Sequence, residues 1–208
     1  MFGLNKNSTA IAAAVILLGI ILYSSILFKP HLENPKTVFY EKPLEKDKKL
    51  QLFPGETYRY AYLLNDSQVN ITYQVMEGDG CTIIMVQESV NGTSICIDEW
   101  GMDSGGSNST FEDPAFLLFK PWMLSLRPGW TWNSSMYLDY EGMVQHIADS
   151  GFRVIRTEDY NGRETFVVEI SSTSSPPEYQ WIDAEKRVLV KTLGEGYQVE
   201  LVEGLPDD

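Results

Sequence analysis

From Pro54 onward the chain is patterned with a period of two. Val69, Ile71, Tyr73 and Val75 alternate with Asn70, Thr72 and Gln74, and Tyr58, Tyr60 and Tyr62 alternate just before them. Successive side chains of a strand point to opposite faces, so this pattern buries one face and wets the other. Further strand candidates follow at about 82–90, 94–100, 130–138, 143–149, 152–158, 163–171, 178–183, 187–193 and 197–203. Asn91-Gly92, Asp149-Ser150-Gly151, Asn161-Gly162, Pro176-Pro177 and Gly194-Glu195-Gly196 divide them, and such residues supply the backbone conformations that turns need. No stretch of this region sustains a helical period; the one candidate, Phe116 to Leu126, is interrupted by Pro121. The pattern predicts an antiparallel all-β domain of about 10–11 strands.

The amino terminus follows a different rule. Residues 10–28 read AIAAAVILLGIILYSSILF without a charge, close to the ~20 apolar residues that a helix needs to cross a bilayer. A signal peptide has a shorter apolar region and a small-residue cleavage site, and only Ser24-Ser25 resembles one. The expected organisation is a tail at 1–9, one transmembrane anchor at 10–28, a Pro- and charge-containing stalk at 29–50 and an exterior β domain at 51–208. One lysine precedes the span and Lys29, Lys36, Lys42 and Lys46 follow it. The positive-inside tendency would therefore put the domain in the cytoplasm.

Glycosylation patterns point the other way. Asn7, Asn65, Asn70, Asn91, Asn108 and Asn133 each begin an Asn-x-Ser/Thr acceptor. The chain has nine Asn, and Ser plus Thr make up 29 of its 208 residues. Chance would therefore give roughly one match rather than six. This excess outweighs the lysine count and places the domain outside the cytoplasm, on a single-pass membrane glycoprotein.

Composition and isolated motifs exclude several functions. A formal net charge of −13 and a pI near 4.5 argue against nucleic acid and against charge-driven binding to anionic headgroups. Asp103-Ser104-Gly105-Gly106 matches the core of the trypsin-like nucleophile motif. Nucleophilic catalysis also needs a histidine and its orienting carboxylate, and His146 comes after the serine while His31 lies beside the apolar run. Asp98, Glu99, Asp103, Glu112 and Asp113 are read as solvated charge, since no calcium-loop spacing is present. No metal, cofactor or catalytic residue is assigned, and the chain is not read as an enzyme.

Cys81 and Cys96 leave two alternatives open. An exported domain favours a bridge between them. A two-residue turn at Asn91-Gly92 would instead set Cys96 opposite Gln87, about 20 Å along the strand from Cys81.

Pro128-Gly129-Trp130-Thr131-Trp132, Gly151-Phe152-Arg153-Val154, Asn161-Gly162-Arg163-Glu164-Thr165-Phe166-Val167-Val168-Glu169-Ile170, and Tyr179-Gln180-Trp181-Ile182-Asp183 leading into Lys186-Arg187-Val188-Leu189-Val190-Lys191 form a recognisable run. It resembles the lipoprotein-carrier superfamily (LolA/LolB-like, with RseB-like sensor domains), loosely over residues 55–203 and most firmly over 128–192. The resemblance implies a curved antiparallel sheet, an open half-barrel with an apolar concave face, and contributes no catalytic residues. A fixed anchor departs from the soluble carriers and fits a tethered receptor, sensor or docking module.

Two functions follow as expectations. The first is non-catalytic binding of a lipid or other apolar ligand, with Phe116, Phe119, Trp122 and Met123 as a lip and Trp130, Trp132 and Trp181 on the concave face. The second is an envelope structural or protein-docking module with a filled core and no ligand. Segment 114–126 is the most apolar stretch outside the anchor. It can plug the sheet as core, cover a ligand cavity, or present Phe116, Trp122 and Met123 to a partner or membrane.

Overall fold

A computed structural model describes residues 36–41, 43–64, 67–87, 93–103, 117–140, 142–173 and 175–205. Eleven strands form one antiparallel sheet: β1 (Lys36–Glu41), β2 (Thr57–Leu64), β3 (Ser67–Glu77), β4 (Thr82–Gln87), β5 (Thr93–Ile97), β6 (Thr131–Tyr140), β7 (Met143–Tyr160), β8 (Arg163–Ser172), β9 (Glu178–Asp183), β10 (Leu189–Gly194) and β11 (Tyr197–Glu203). Their order is β1-β6-β7-β8-β9-β10-β11-β2-β3-β4-β5. The sheet is open, with β1 and β5 as its outer strands. The expected anchor at 10–28 lies outside the described residues. Among those residues no helix is long and apolar enough to cross a membrane.

Local chemistry explains most boundaries. Asn161 (φ 54°) and Gly162 (φ 80°) both take left-handed conformations, the turn whose twist matches the flanking strands β7 and β8. Pro121 stands at the start of a short 3-10 helix, Pro121–Ser125, where its missing N–H costs no internal bond. Gly151, expected in a turn, instead lies inside β7 with Asn133 on one side and Ser171 on the other. Strands expected at 143–149 and 152–158 are therefore one strand of 18 residues.

The stalk expected at 29–50 needs correction from Lys36 onward. Residues 36–41 add β1 to the edge of β6. The backbone amides of Asp47 and Lys48 both donate to Leu124 O, at 2.8 and 3.1 Å. Leu44 and Leu50 pack on the core, and Leu52 belongs to it. Apolar residues spaced between the charges hold this segment down, and the charges themselves stay at the surface.

One core serves every strand from β2 to β11. It gathers Tyr58, Tyr60, Tyr73, Val75, Ile84, Val86, Ile97, Trp132, Phe152, Val154, Phe166, Val168, Ile182, Leu189 and Val199 around Leu118, Phe119, Trp122, Met123, Leu124 and Leu126. Strand spacing of ~4.8 Å would separate β7 from β3 by about 29 Å in a flat sheet. Yet Trp122 meets Phe152 of β7 at 5.3 Å, while Leu117 N donates to Tyr73 Oη of β3 at 3.3 Å. Leu118 O, between them, accepts from Leu189 N of β10 at 2.9 Å. The sheet therefore bends around the 117–126 segment.

Candidate functional site

The bent side of the sheet and the segment inside it form the expected site. Phe119, Trp122 and Met123 are buried there. Trp122 stacks on Trp130 with ring centres 6.1 Å apart, and Phe152 lies between Trp122 and Trp132, at 5.3 and 5.2 Å. Five of the seven apolar residues expected to line a ligand site thus belong to one core cluster. Phe116 lies outside the described residues.

Trp181 is on the opposite face, which corrects its assignment to the concave side. Ile182 is fully buried in the core, so alternation along β9 turns Trp181 outward. There its Nε1 donates to Glu158 Oε1 at 2.5 Å. Lys191 Nζ lies 5.4 Å from its ring and 5.2 Å from that of Tyr160. Tyr160 Oη donates to Glu200 Oε1 at 2.5 Å, and partial burial with the adjacent Glu200 carboxylate pushes its phenol up to about 12. Arg156 Nε at 2.6 Å, followed by Trp181, holds the Glu158 carboxyl below its usual range. Val167, paired with Trp181, is fully buried although it is not a member of the inner core cluster. The outer face thus has its own ladder of aromatic rings and charges, concealed in the sequence because Tyr179-Gln180-Trp181-Ile182 lacks a clean polar/apolar alternation.

Inside the sheet several polar atoms are buried without a hydrogen-bond partner: Trp122 Nε1, Ser125 Oγ, Gln180 Oε1, Thr192 Oγ1, and Arg187 Nε and Nη1. Thr192 and Gln180 face each other across β10 and β9. Arg187 packs its guanidinium 4.7 Å from the Phe166 ring, with Asp47 at 3.7 Å as its ion-pair partner. Burial lowers its pKa, opposed by Asp47 and Asp183. Buried tyrosines fare better. Tyr60 Oη donates to Leu189 O at 2.6 Å and Tyr58 Oη to Glu56 Oε2 at 2.9 Å. Burial raises both phenols far above their ordinary range, with the Glu56 hydrogen bond adding to the shift at Tyr58.

Two open clefts lie on the described surface. One of about 270 Å³ lies between Pro43, Glu45, Arg127 and Trp130, and another of about 390 Å³ runs along Glu56, Thr57, Gln74 and Glu77. No group of three or more metal-ligating side chains occurs among the described residues. Asp98 Oδ1 accepts from the Trp100 and Met102 amides at 2.9 and 2.8 Å, and Glu99 pairs with Lys49 at 2.6 Å. These carboxylates hold a loop. Ser104, Glu112 and Asp113 lie outside the described residues.

Cys81 and Cys96 are joined, with Cα atoms 5.7 Å apart. Thr93 faces Val86 and Cys96 faces Ile83, so the connection is longer than the two-residue turn that would have kept the thiols apart. Asn70 and Asn133 are exposed on β3 and β6; Asn7, Asn65, Asn91 and Asn108 lie outside the described residues. No protein-family model, curated protein or solved structure matches the chain.

Proposed function

We propose that this chain is a non-catalytic docking module of the cell envelope, held on the outer side of a membrane by residues 10–28 and N-glycosylated on its β domain. The observation that carries the reading is the burial of 117–126. Leu118, Phe119, Trp122, Met123, Leu124 and Leu126 all lie within 2 % exposure, so the bent sheet is filled by the chain's own residues. Recognition then falls to the surface, where Trp181, Tyr160, Tyr179, Arg153 and Arg156 supply the residue types that anchor protein interfaces.

A second reading has its own support. Trp122 Nε1 and Ser125 Oγ are buried unpaired in the filling segment, and each such group costs ~1–3 kcal/mol. Release of the segment would relieve that penalty and open an apolar half-barrel to a lipid, as the carrier-like motifs imply. Native mass spectrometry of the full chain, purified in mild detergent from its own membranes, separates the two. Hexose-sized mass steps with no lipid adduct support the docking module. A lipid-sized component lost on gentle activation supports the carrier-like reading, and a bare polypeptide mass removes the exterior placement.

A further inference from the structure

The polypeptide enters the sheet at the place where the β6–β7 hairpin turns. Lys36, the first residue of β1, faces Asp139 of β6, and Tyr140 faces Met143 across the hairpin. Asp139 Oδ1 accepts from Gly142 N at 2.8 Å and closes the turn. Lys36 stands eight positions after Phe28, where the apolar run ends, a stretch that covers at most about 29 Å.

This hairpin outruns the rest of the sheet. Phe152 faces Ile170, which faces Glu178, the first residue of β9. The same row continues through Gly194, Tyr197, Leu64 and Ser67, where β10 and β2 end and β11 and β3 begin. β8 reaches only Ser172, opposite Ser150. β7 continues to Met143, nine positions beyond Phe152, an arm on the order of 30 Å long at ~3.3 Å per residue.

Each side of the arm's end exposes one apolar side chain, with Asp139 directly opposite Val144 across the β6–β7 pair. Met143 is 75 % exposed and Val144 52 %, and consecutive strand residues face opposite ways. A protein-docking face gathers such residues on one side, whereas apolar side chains on both sides of a narrow tip suit end-on entry into an apolar phase. Just behind them Tyr137 meets His146 edge-on at 5.1 Å, and tyrosines favour the membrane–water boundary. Asp139 faces Val144 at the tip, and the chain carries a net charge of −13, so anionic headgroups are not what attracts it.

We propose that the tip of this hairpin, through Met143 and Val144, inserts into the outer interface of the same bilayer that holds residues 10–28. The proposal rests on the anchored reading above. β1, β6 and the first half of β7 then form a spacer. It keeps the body of the sheet, with exposed Asn70 on β3, at least an arm's length from the headgroups.

The test uses the full chain in phosphatidylcholine vesicles that carry a shallow nitroxide-labelled lipid. Its native cysteines are joined, so Met143→Cys provides one thiol for an environment-sensitive fluorophore. Emission at this position is expected to shift blue and fall by about half, since interfacial elements sit ~5–10 Å deep. The same label at Val202→Cys, at the far end of β11 and 51 % exposed, is expected to stay bright. Leu18→Cys reads the anchor independently. Quenching at Leu18→Cys without quenching at Met143→Cys overturns the tip contact and leaves the anchor standing; no quenching at either overturns both. Equal quenching at Met143→Cys and Val202→Cys overturns the spacer geometry. Protection of Met143→Cys from aqueous iodide without lipid quenching means that a protein or a second copy covers the tip, and also overturns the proposal. Val144→Cys repeats the measurement from the other side of the hairpin and is expected to agree.

Discussion

The body of the sheet and the β1–β6–β7 arm are made from the same ladder, yet they treat their side chains in opposite ways. In the body one face closes over Trp122, Phe119 and Leu124, and the fold's free energy comes mainly from burying them. In the arm, β7 residues from Met143 to Ile147 are all exposed. What holds them is backbone pairing on both sides of β6 and a small polar cluster. In that cluster Ser135 Oγ donates to Asp149 Oδ1 at 2.6 Å, and His146 Nε2 lies 2.9 Å from the same oxygen. A ribbon without a buried face is marginal by itself. The arm therefore borrows its order from the body, and a change in one region should be felt very differently from a change in the other.

The sharpest contrast is expected at Trp122. Trp122→Ala should cost ~3–5 kcal/mol, the cavity penalty of a core aromatic, read as a shift of the urea midpoint. A loss under ~1 kcal/mol would mean that the segment is not core, and would return the lid-like reading to first place. Next comes the bridge. Cys81 and Cys96 are 15 positions apart, and opening a loop of that length should cost about 3 kcal/mol, measured as denaturation with and without reductant. Because the bridge joins β5 to the residue just before β4, far from the arm in strand order, the fluorescence of a label on the arm should respond only at global unfolding.

Tyr60→Phe follows, at roughly 1–3 kcal/mol, since it leaves the buried Leu189 carbonyl without its 2.6 Å partner. A related experiment varies pH. Tyr58, Tyr60, Tyr160 and Tyr197 all have raised phenols, through burial first and, for all but Tyr60, a neighbouring glutamate next. The folded state therefore holds these protons more tightly than the unfolded chain does. Their contribution is complete below pH ~10, where a free tyrosine titrates, and is lost as pH rises toward the folded values, about 12 for Tyr160. Stability should fall steeply above pH ~10, and a flat profile there would break the account of the core tyrosines.

The arm gives the smallest effects. Met143→Ser should change stability by less than ~0.5 kcal/mol, as for other exposed sites. The Ser135 hydroxyl, and then His146, hold the Asp149 carboxyl below its ordinary range. The stabilisation linked to that carboxylate is present above its unfolded titration point and disappears as pH falls through the lower folded one. Ser135→Ala should move the Asp149 titration upward when followed by carboxyl NMR, and an unmoved midpoint would show that the cluster does not form in solution.

Most strands of the body were legible because one wet and one dry face leave a period of two, as from Ile71 to Val75, although Val69 at the head of that run is exposed. The filling segment was legible only as the most apolar stretch of the domain; apolarity alone left plug, lid and exposed lip open, because all three need the same side chains. The arm was not. Asp149-Ser150-Gly151 carries the residues of a turn, but Gly151 between Asn133 and Ser171 simply lets two neighbours approach, with Ser171 Oγ 2.9 Å from where a Cβ would stand. β1 was hidden for the converse reason. Its six residues lie between Pro35 and Pro43 and among charges, and a strand fixed by backbone pairing needs no apolar pattern of its own. Trp181 was misplaced because a large aromatic was taken to mean interior, whereas here it stands on the outer face, opposite Val167 and hydrogen-bonded to Glu158.

The direction of β1 has a mechanical consequence. In the anchored arrangement the tether leaves from Lys36 at the tip, while the other end of β1 runs into the body. A pull between membrane and body then acts along the strand, so the six β1–β6 residue pairs carry the load together in shear. A tether attached at the opposite end would peel them apart one after another at a far lower force.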